Sequence, residues 1–192
     1  MDQEDSEILE ALDLAVTSRS IKPKIEAIVA RVEQQLRERP DDVLAWEPIP
    51  LDLYAAPLPE PIRSSWVLIL RANTTTGAER HPNSHQRMMS YRGAGDFQTR
   101  LAGDWCSHLL RSEQTVPIAE RWISIPQNVW HQGVVPGENW VVVSFHTAAE
   151  HELIEERPVR EARDAVRQRK YAGESQEARA RCLVQRWEDG DV

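Results

Sequence analysis

Gly77-Ala78-Glu79-Arg80-His81-Pro82-Asn83-Ser84-His85-Gln86 places a carboxylate, two imidazoles and a carboxamide within ten residues. A helix over this stretch would set His81 and His85 on one face, as in zinc proteases, but that motif needs a glutamate beside the first histidine, and Pro82-Asn83-Ser84 interrupts the helix. Extended backbone fits better. Glu79 and His81, two apart on a strand, then point to the same side. Pro82 to Ser84 becomes a connecting loop, and His85 or Gln86 opens the next strand. Further along, Pro126-Gln127-Asn128-Val129-Trp130-His131 brings a third imidazole to the start of an apolar run. A carboxylate and two or three imidazoles that converge with open positions make the layout of a catalytic transition-metal site, non-haem Fe(II) among them.

The flanking segments predict an antiparallel β framework. Ser65 to Arg71 is rich in β-branched and aromatic residues and is followed by turn-like Asn73 to Gly77. Arg87 to Tyr91 reads as a strand, Gly93-Ala94-Gly95-Asp96 as a hairpin turn, and Phe97 to Leu101 as the returning strand. Arg121 to Ile125 and Trp140 to Thr147 are two more strands, the second being the most strand-like run in the chain. Short strands joined by turns with no helices between them indicate a sandwich or barrel.

The two ends differ from this middle. Ile8, Leu9, Leu12 and Val16 recur at helical spacing, and Ile21, Ile25, Ile28, Val29, Val32 and Leu36 form a second stripe that Pro40 stops. Residues 1–40 are therefore expected to be helices packed on the core. Six prolines between Pro40 and Pro61 exclude a helix and disfavour a central strand, so 41–64 is read as an extended connector. The barrel takes 65–150. Beyond it, 151–192 is charged, with helices expected from about Val159 to Tyr171 and from Glu174 to Trp187.

Composition narrows the function. With 192 residues the chain suits one core domain, and a net charge of −8 argues against phosphate-tracking nucleic-acid binding. No apolar run approaches the ~20 residues that span a bilayer. Two cysteines, Cys106 and Cys182, and an acidic N-terminus without signal-peptide layout point to a cytoplasmic protein with inert thiols. The seven tryptophans are expected as core or homodimer-interface anchors, with Trp130 placed to line a pocket. His108 and His151 lie in polar surroundings and carry no expected role.

The string Glu79-x-His81-x4-Gln86-x6-Gly93 resembles the first cupin motif, and Glu120-x5-Pro126-x-Asn128-x2-His131 resembles the second. Glu79, Gln86 and Asn128 stand where those motifs usually carry His, Glu and Gly. The resemblance covers roughly Ser65 to Thr147 and implies a double-stranded β-helix barrel with a metal at its centre. Within cupins, Glu79-x-His81-x3-His85 and Ser144-Phe145-His146 are similar to the pattern of cysteine dioxygenase and related thiol dioxygenases. Ala148 stands where that family's active-site tyrosine is expected, and the proline-rich connector has no obvious arginine for a substrate carboxylate, which argues against cysteine as substrate.

Together these expectations are a mainly β protein, a cupin-type antiparallel β-barrel (jelly roll) flanked by N-terminal and C-terminal α-helices. Glu79, His81 and His131 are the expected metal ligands, with Gln86 and His85 competing for a further position. Glu79 is a ligand, a catalytic base, or a salt-bridge partner of Arg80 or Arg87. His146 orients a ligand or substrate. The metal is a divalent transition ion, Fe(II) first and Zn, Mn or Ni as alternatives, and the partner is a small-molecule thiol, diol or enol. The function that follows is an Fe(II)-dependent dioxygenase, with a non-catalytic binding or sensing module, or a metal-dependent isomerase or lyase, as alternatives.

Overall fold

A computed structural model of the chain describes residues 3–159 and 165–170. The chain opens with α1 (Gln3–Thr17) and α2 (Lys22–Glu38), whose buried stripes are Leu9, Leu12 and Val16 in the first and Ile25, Ile28, Val29, Val32 and Leu36 in the second. These are the amphipathic helices that the apolar periodicity predicts. Proline near the start of α2 costs no hydrogen bond, because the first turn has no acceptor for that N–H.

Ten strands build the body. They are β1 (Leu44–Pro48), β2 (Ser64–Leu70), β3 (Thr74–Thr75), β4 (Gln86–Arg92), β5 (Ala94–Leu101), β6 (Asp104–Cys106), β7 (Leu109–Arg111), β8 (Trp122–Ile125), β9 (His131–Val135) and β10 (Trp140–His146). One sheet has the order β1-β2-β10-β4-β8. The other has the order β3-β9-β5-β6, with β7 also paired to β5. Every pairing is antiparallel. The result is the mainly β, two-sheet jelly roll expected from sequence, with the helices outside the first sheet.

Side-chain alternation defines three layers. On β10, Val141, Val143 and Phe145 join the helices in one core with Leu9, Ile25 and Val32. Trp140 and Val142 face the second sheet, in a core with Met88, Phe97 and Ile125. By the same period, Ser144 and His146 continue the barrel-facing row. Two buried ion pairs fasten α1 to the sheet: Asp5 accepts from Arg87 at 2.8 Å, and Asp13 accepts from Arg121 at 2.6 Å and from the Trp122 indole at 2.8 Å.

Three expectations need correction. The hairpin at Gly93-Ala94-Gly95-Asp96 is instead a corner, because β4 belongs to the first sheet and β5 to the second. Gly93 takes φ +85°, and a Cβ on Gly95 would lie 2.2 Å from the Trp140 ring, so both glycines serve the crossing. The proline-rich connector does contain a strand, β1, at the sheet edge, where proline is tolerated. At the C-terminal end, the described part of the first expected helix is strand: β11 (Ile154–Pro158) pairs antiparallel with β12 (Val166–Lys170). Residues 174–187, the second expected helix, lie outside the described residues. Among the described residues no helix is long and apolar enough to cross a membrane.

Candidate metal centre

The two motif segments meet backbone to backbone. Glu79 and His131 form an antiparallel bridge, with Glu79 N–H donating to the His131 carbonyl at 2.9 Å and His131 N–H to the Glu79 carbonyl at 2.8 Å. Their side chains are thereby direct cross-strand neighbours. The Asn128 N–H donates to the His81 carbonyl at 3.1 Å. Asn128 has φ +64°, so it fills with asparagine the left-handed position where the second motif usually has glycine.

Glu79, His81 and His131 each present one donor atom, and these atoms lie within 4.8 Å of one another. Both imidazoles are buried. His81 Nδ1 lies 2.9 Å from the Ile154 carbonyl, and His131 Nδ1 lies 2.9 Å from the Val129 carbonyl. A carbonyl only accepts, so Nδ1 donates in each ring, which in the neutral imidazole leaves the lone pair on Nε2. His131 Nε2 is buried without a hydrogen-bond partner. It is 3.7 Å from Glu79 Oε1, and Phe97 stacks on the ring with centroids 5.4 Å apart. A buried lone pair beside a second such lone pair and a carboxylate oxygen is the arrangement a divalent cation satisfies, so the donor set fits the metal that the motifs imply.

Electrostatics favour neutral rings around an anion. Burial lowers the His81 pKa below its ordinary value, and the neighbouring His131 adds to the effect. His146 is lowered much further, again by burial first and then by His81 and His131. Burial alone would raise the Glu79 carboxyl, but the Arg157 guanidinium and, to a lesser degree, the His131 imidazole hold it well below the usual carboxylate range. Glu79 therefore stays ionised. Its partner is Arg157, not Arg80 or Arg87: Arg80 pairs with Glu156 at 2.7 Å, and Arg87 with Asp5.

Gln86 and His85, adjacent in sequence, part company. Gln86 pairs with His146 across β4 and β10, is buried, and donates through Nε2 to Ser144 Oγ at 3.1 Å, which leaves Oε1 without a partner. His85 projects to the opposite face of the sheet, where its Nε2 meets Ser124 Oγ at 2.7 Å in a cavity that Arg87 and Trp122 also line. One residue of register separates the two faces. His146 joins the barrel-facing row: Nε2 is 3.1 Å from Ser144 Oγ, Nδ1 is 3.3 Å from Ser84 Oγ, and the ring meets His81 edge-on with centroids 5.1 Å apart.

Other candidates fall outside the cluster. Trp130 is covered by the Arg80 guanidinium, 4.7 Å from the ring centroid. Ala148 packs with Trp46, Trp66 and Leu153. Arg157 and the Ile154 carbonyl were missed in sequence because the charged run 155–157 has the composition of a solvated helix face. The apolar pair Leu153-Ile154 and the closing Pro158 are the signals that mark it as a strand.

No protein-family model matches the chain, and no curated protein is significantly similar to it. Solved structures similar to parts of it include pumpkin seed globulin, at 17% identity and TM-score 0.47, over 62% of this chain and 29% of that one. Capsular polysaccharide assembling protein CapF from Staphylococcus aureus matches at 14% identity and TM-score 0.43, over 55% of this chain and 28% of that one. Oxalate oxidase in complex with the substrate analogue glycolate matches at 16% identity and TM-score 0.41, over 54% of this chain and 51% of that one. The chain thus spans under a third of the globulin and CapF chains and about half of the oxalate oxidase chain. Similarities this partial carry no argument about chemistry, which rests on the side chains described above.

Proposed function

We propose that the protein is a cupin-type metalloprotein that binds a divalent transition metal, iron(II) foremost, through Glu79, His81 and His131, and acts as a dioxygenase on a small thiol, diol or enol. The observation that carries this reading is the pair of imidazoles fixed through Nδ1 to backbone carbonyls beside an ionised carboxylate, with His131 Nε2 buried and unsatisfied. Iron(II) bound there would supply Lewis acidity and positions for oxygen and substrate. The chain's own groups do the rest. Glu79 contributes the negative charge, and His81 and His131 contribute imidazole nitrogens as donors. Gln86, tethered at Nε2 by Ser144, offers Oε1 as a further oxygen toward the barrel. His146, braced between Ser84 and Ser144, orients what binds beside His81.

The low pKa of Glu79 separates the roles left open for it. A carboxylate held well below its usual range is a poor general base near neutrality, which favours ligand over base and weakens the isomerase or lyase reading. A non-catalytic binding or sensing module is supported by the Glu79–Arg157 pair, which already offsets the anion.

Metal analysis of the purified full chain, combined with oxygen uptake on a panel of small thiols, diols and enols, tests the proposal. The expected result is one transition metal per chain, loss of that metal in His81→Ala and His131→Ala, and oxygen consumption with at least one substrate class. Metal-free protein that takes up no iron, or variants with undiminished metal content, would overturn it. Stoichiometric metal with no oxygen consumption would favour the binding module.

A further inference from the structure

The edge that completes the metal cluster comes from the strand β11, far along the chain from Glu79. Arg157 is buried, and its guanidinium donates from Nη2 to Glu79 Oε2, from Nε to Glu155 Oε1 at 2.6 Å and from Nη1 to the Thr76 carbonyl at 2.9 Å. The planar guanidinium is thus fixed in rotation by a carboxylate on one side and by backbone on the other. The same strand supplies the Ile154 carbonyl that holds the His81 tautomer. Asn83 in the 82–84 loop pins the strand from outside: Oδ1 accepts from the Ile154 N–H at 3.0 Å, and Nδ2 donates to the Glu152 carbonyl at 2.8 Å. Arg80, one residue from Glu79, points away and joins Glu156, so it clamps the same strand without touching the ligand carboxylate.

From this geometry we infer that Arg157 is a positioning residue of the metal centre: by occupying Glu79 Oε2 it leaves only Oε1 to face the imidazoles and makes Glu79 a one-oxygen ligand. The inference rests on the metal-binding reading above. Its physical content is twofold. Held at Oε2 by Arg157, the carboxylate would offer a bound metal Oε1 alone and would leave one more position for a small ligand. The adjacent cation also offsets the ligand's charge, so the bound metal keeps more of its own positive charge for an incoming anionic donor such as a thiolate or enolate.

Cobalt(II), whose d–d absorption reports coordination, serves as the probe on the full chain. Wild-type protein should bind one equivalent. Arg157→Met should shift cobalt(II) affinity by about 10- to 100-fold and change the absorption envelope, and Arg157→Lys should move both back toward wild type. The combination of Arg157→Met with Glu79→Gln should bind no more weakly than Glu79→Gln alone, because both act on the same carboxylate. Arg80→Met, which loosens the same strand without reaching Glu79, should leave the spectrum unchanged. Infrared difference spectra on loading wild-type protein need no variant: they should show the widely separated carboxylate stretches of one-oxygen ligation. The inference is overturned by chelate-type stretches, by a wild-type spectrum and affinity in Arg157→Met, or by additive losses in the double variant. Failure of the wild-type chain to take up cobalt(II) overturns the metal-binding reading and this inference together, whereas normal uptake with any of the preceding results overturns this inference alone.

Discussion

The two faces of the five-stranded sheet are built from the same alternating strands but for different ends. The face under the helices is apolar throughout its centre, from Val67 and Ile69 on β2 to Val141, Val143 and Phe145 on β10, with ion pairs at its margins, where α1 meets β4 and the start of β8 and where α2 meets β1 and the end of β4. The barrel face is divided. Trp140, Val142 and Met88 fill one end, packed on Phe97 of β5, and Ser144, His146 and Gln86 line the other, next to His81. Within this hydrogen-bonded row Gln86 Oε1 is buried without a partner, and an unmet acceptor of that kind costs roughly 1–3 kcal/mol. The contrast teaches that the helix face is built for apolar packing and that the polar end of the barrel holds the groups on which the proposed function rests.

Breaking the helix face should give the largest change in stability and little in the site. Phe145→Ala removes a fully buried ring that stacks on Trp122 and packs near Tyr54, and is expected to lower unfolding stability by about 3–5 kcal/mol. Denaturant unfolding would measure this, and metal stoichiometry in the surviving folded fraction should hold. A matching loss of metal would erase the distinction between the faces.

At the polar end, His146→Ala is the complementary perturbation. It removes the ring from between Ser84 and Ser144 and should weaken ligand binding at the loaded centre by about 10- to 100-fold while metal is retained. Isothermal titration of a small thiol into the cobalt(II) protein would read this. Unchanged thiol affinity would remove His146 from the site.

Acid sharpens the same contrast. His81 and His146 are held below their ordinary value of 6.5 by burial, so the unfolded chain binds more protons than the native one below that value. The sign is therefore that metal-free protein has this contribution in full above about pH 6.5 and loses it as pH falls through the lowered native values. Glu79 adds a separate loss only below its ordinary 4.5. Melting temperatures of the metal-free chain across this range should decline first in the histidine window, and substitution of His146 by Phe should flatten that decline. A decline confined to below pH 4.5 would show that the buried rings do not govern it.

The smallest effect belongs to His85→Ala. Its ring sits on the helix side against Ser124, half-buried, so metal content should stay at the wild-type level and stability should shift by no more than about 1 kcal/mol. Loss of metal in this variant would place His85 on the wrong face.

Much of the framework was legible because short-range rules govern it. The stripes Leu9-Leu12-Val16 and Ile25-Val32-Leu36 announce helices through their period, and Glu79 with His81 share a side because strands alternate. The Gly93 corner was harder: a glycine turn looks the same whether its flanking strands pair or part, and only the bulk of Trp140 against Gly95 shows which happened. The charged run Glu155-Glu156-Arg157 misled for a related reason. Charge usually means solvent, and its burial is offset here by partners that include Glu79 and Arg80 across the strand.

What the sequence by itself determined was the donor inventory and its local geometry: a carboxylate and an imidazole two apart on extended chain, a second imidazole after a loop, and a polar row on the last barrel strand. What only the tertiary structure decided was which groups meet. Gln86 and His85 are neighbours in the chain, and a single step of register sends them to opposite faces. Glu79 and Arg157 lie far apart along the chain and touch, because an ion pair is set by where strands pack, not by spacing along the backbone.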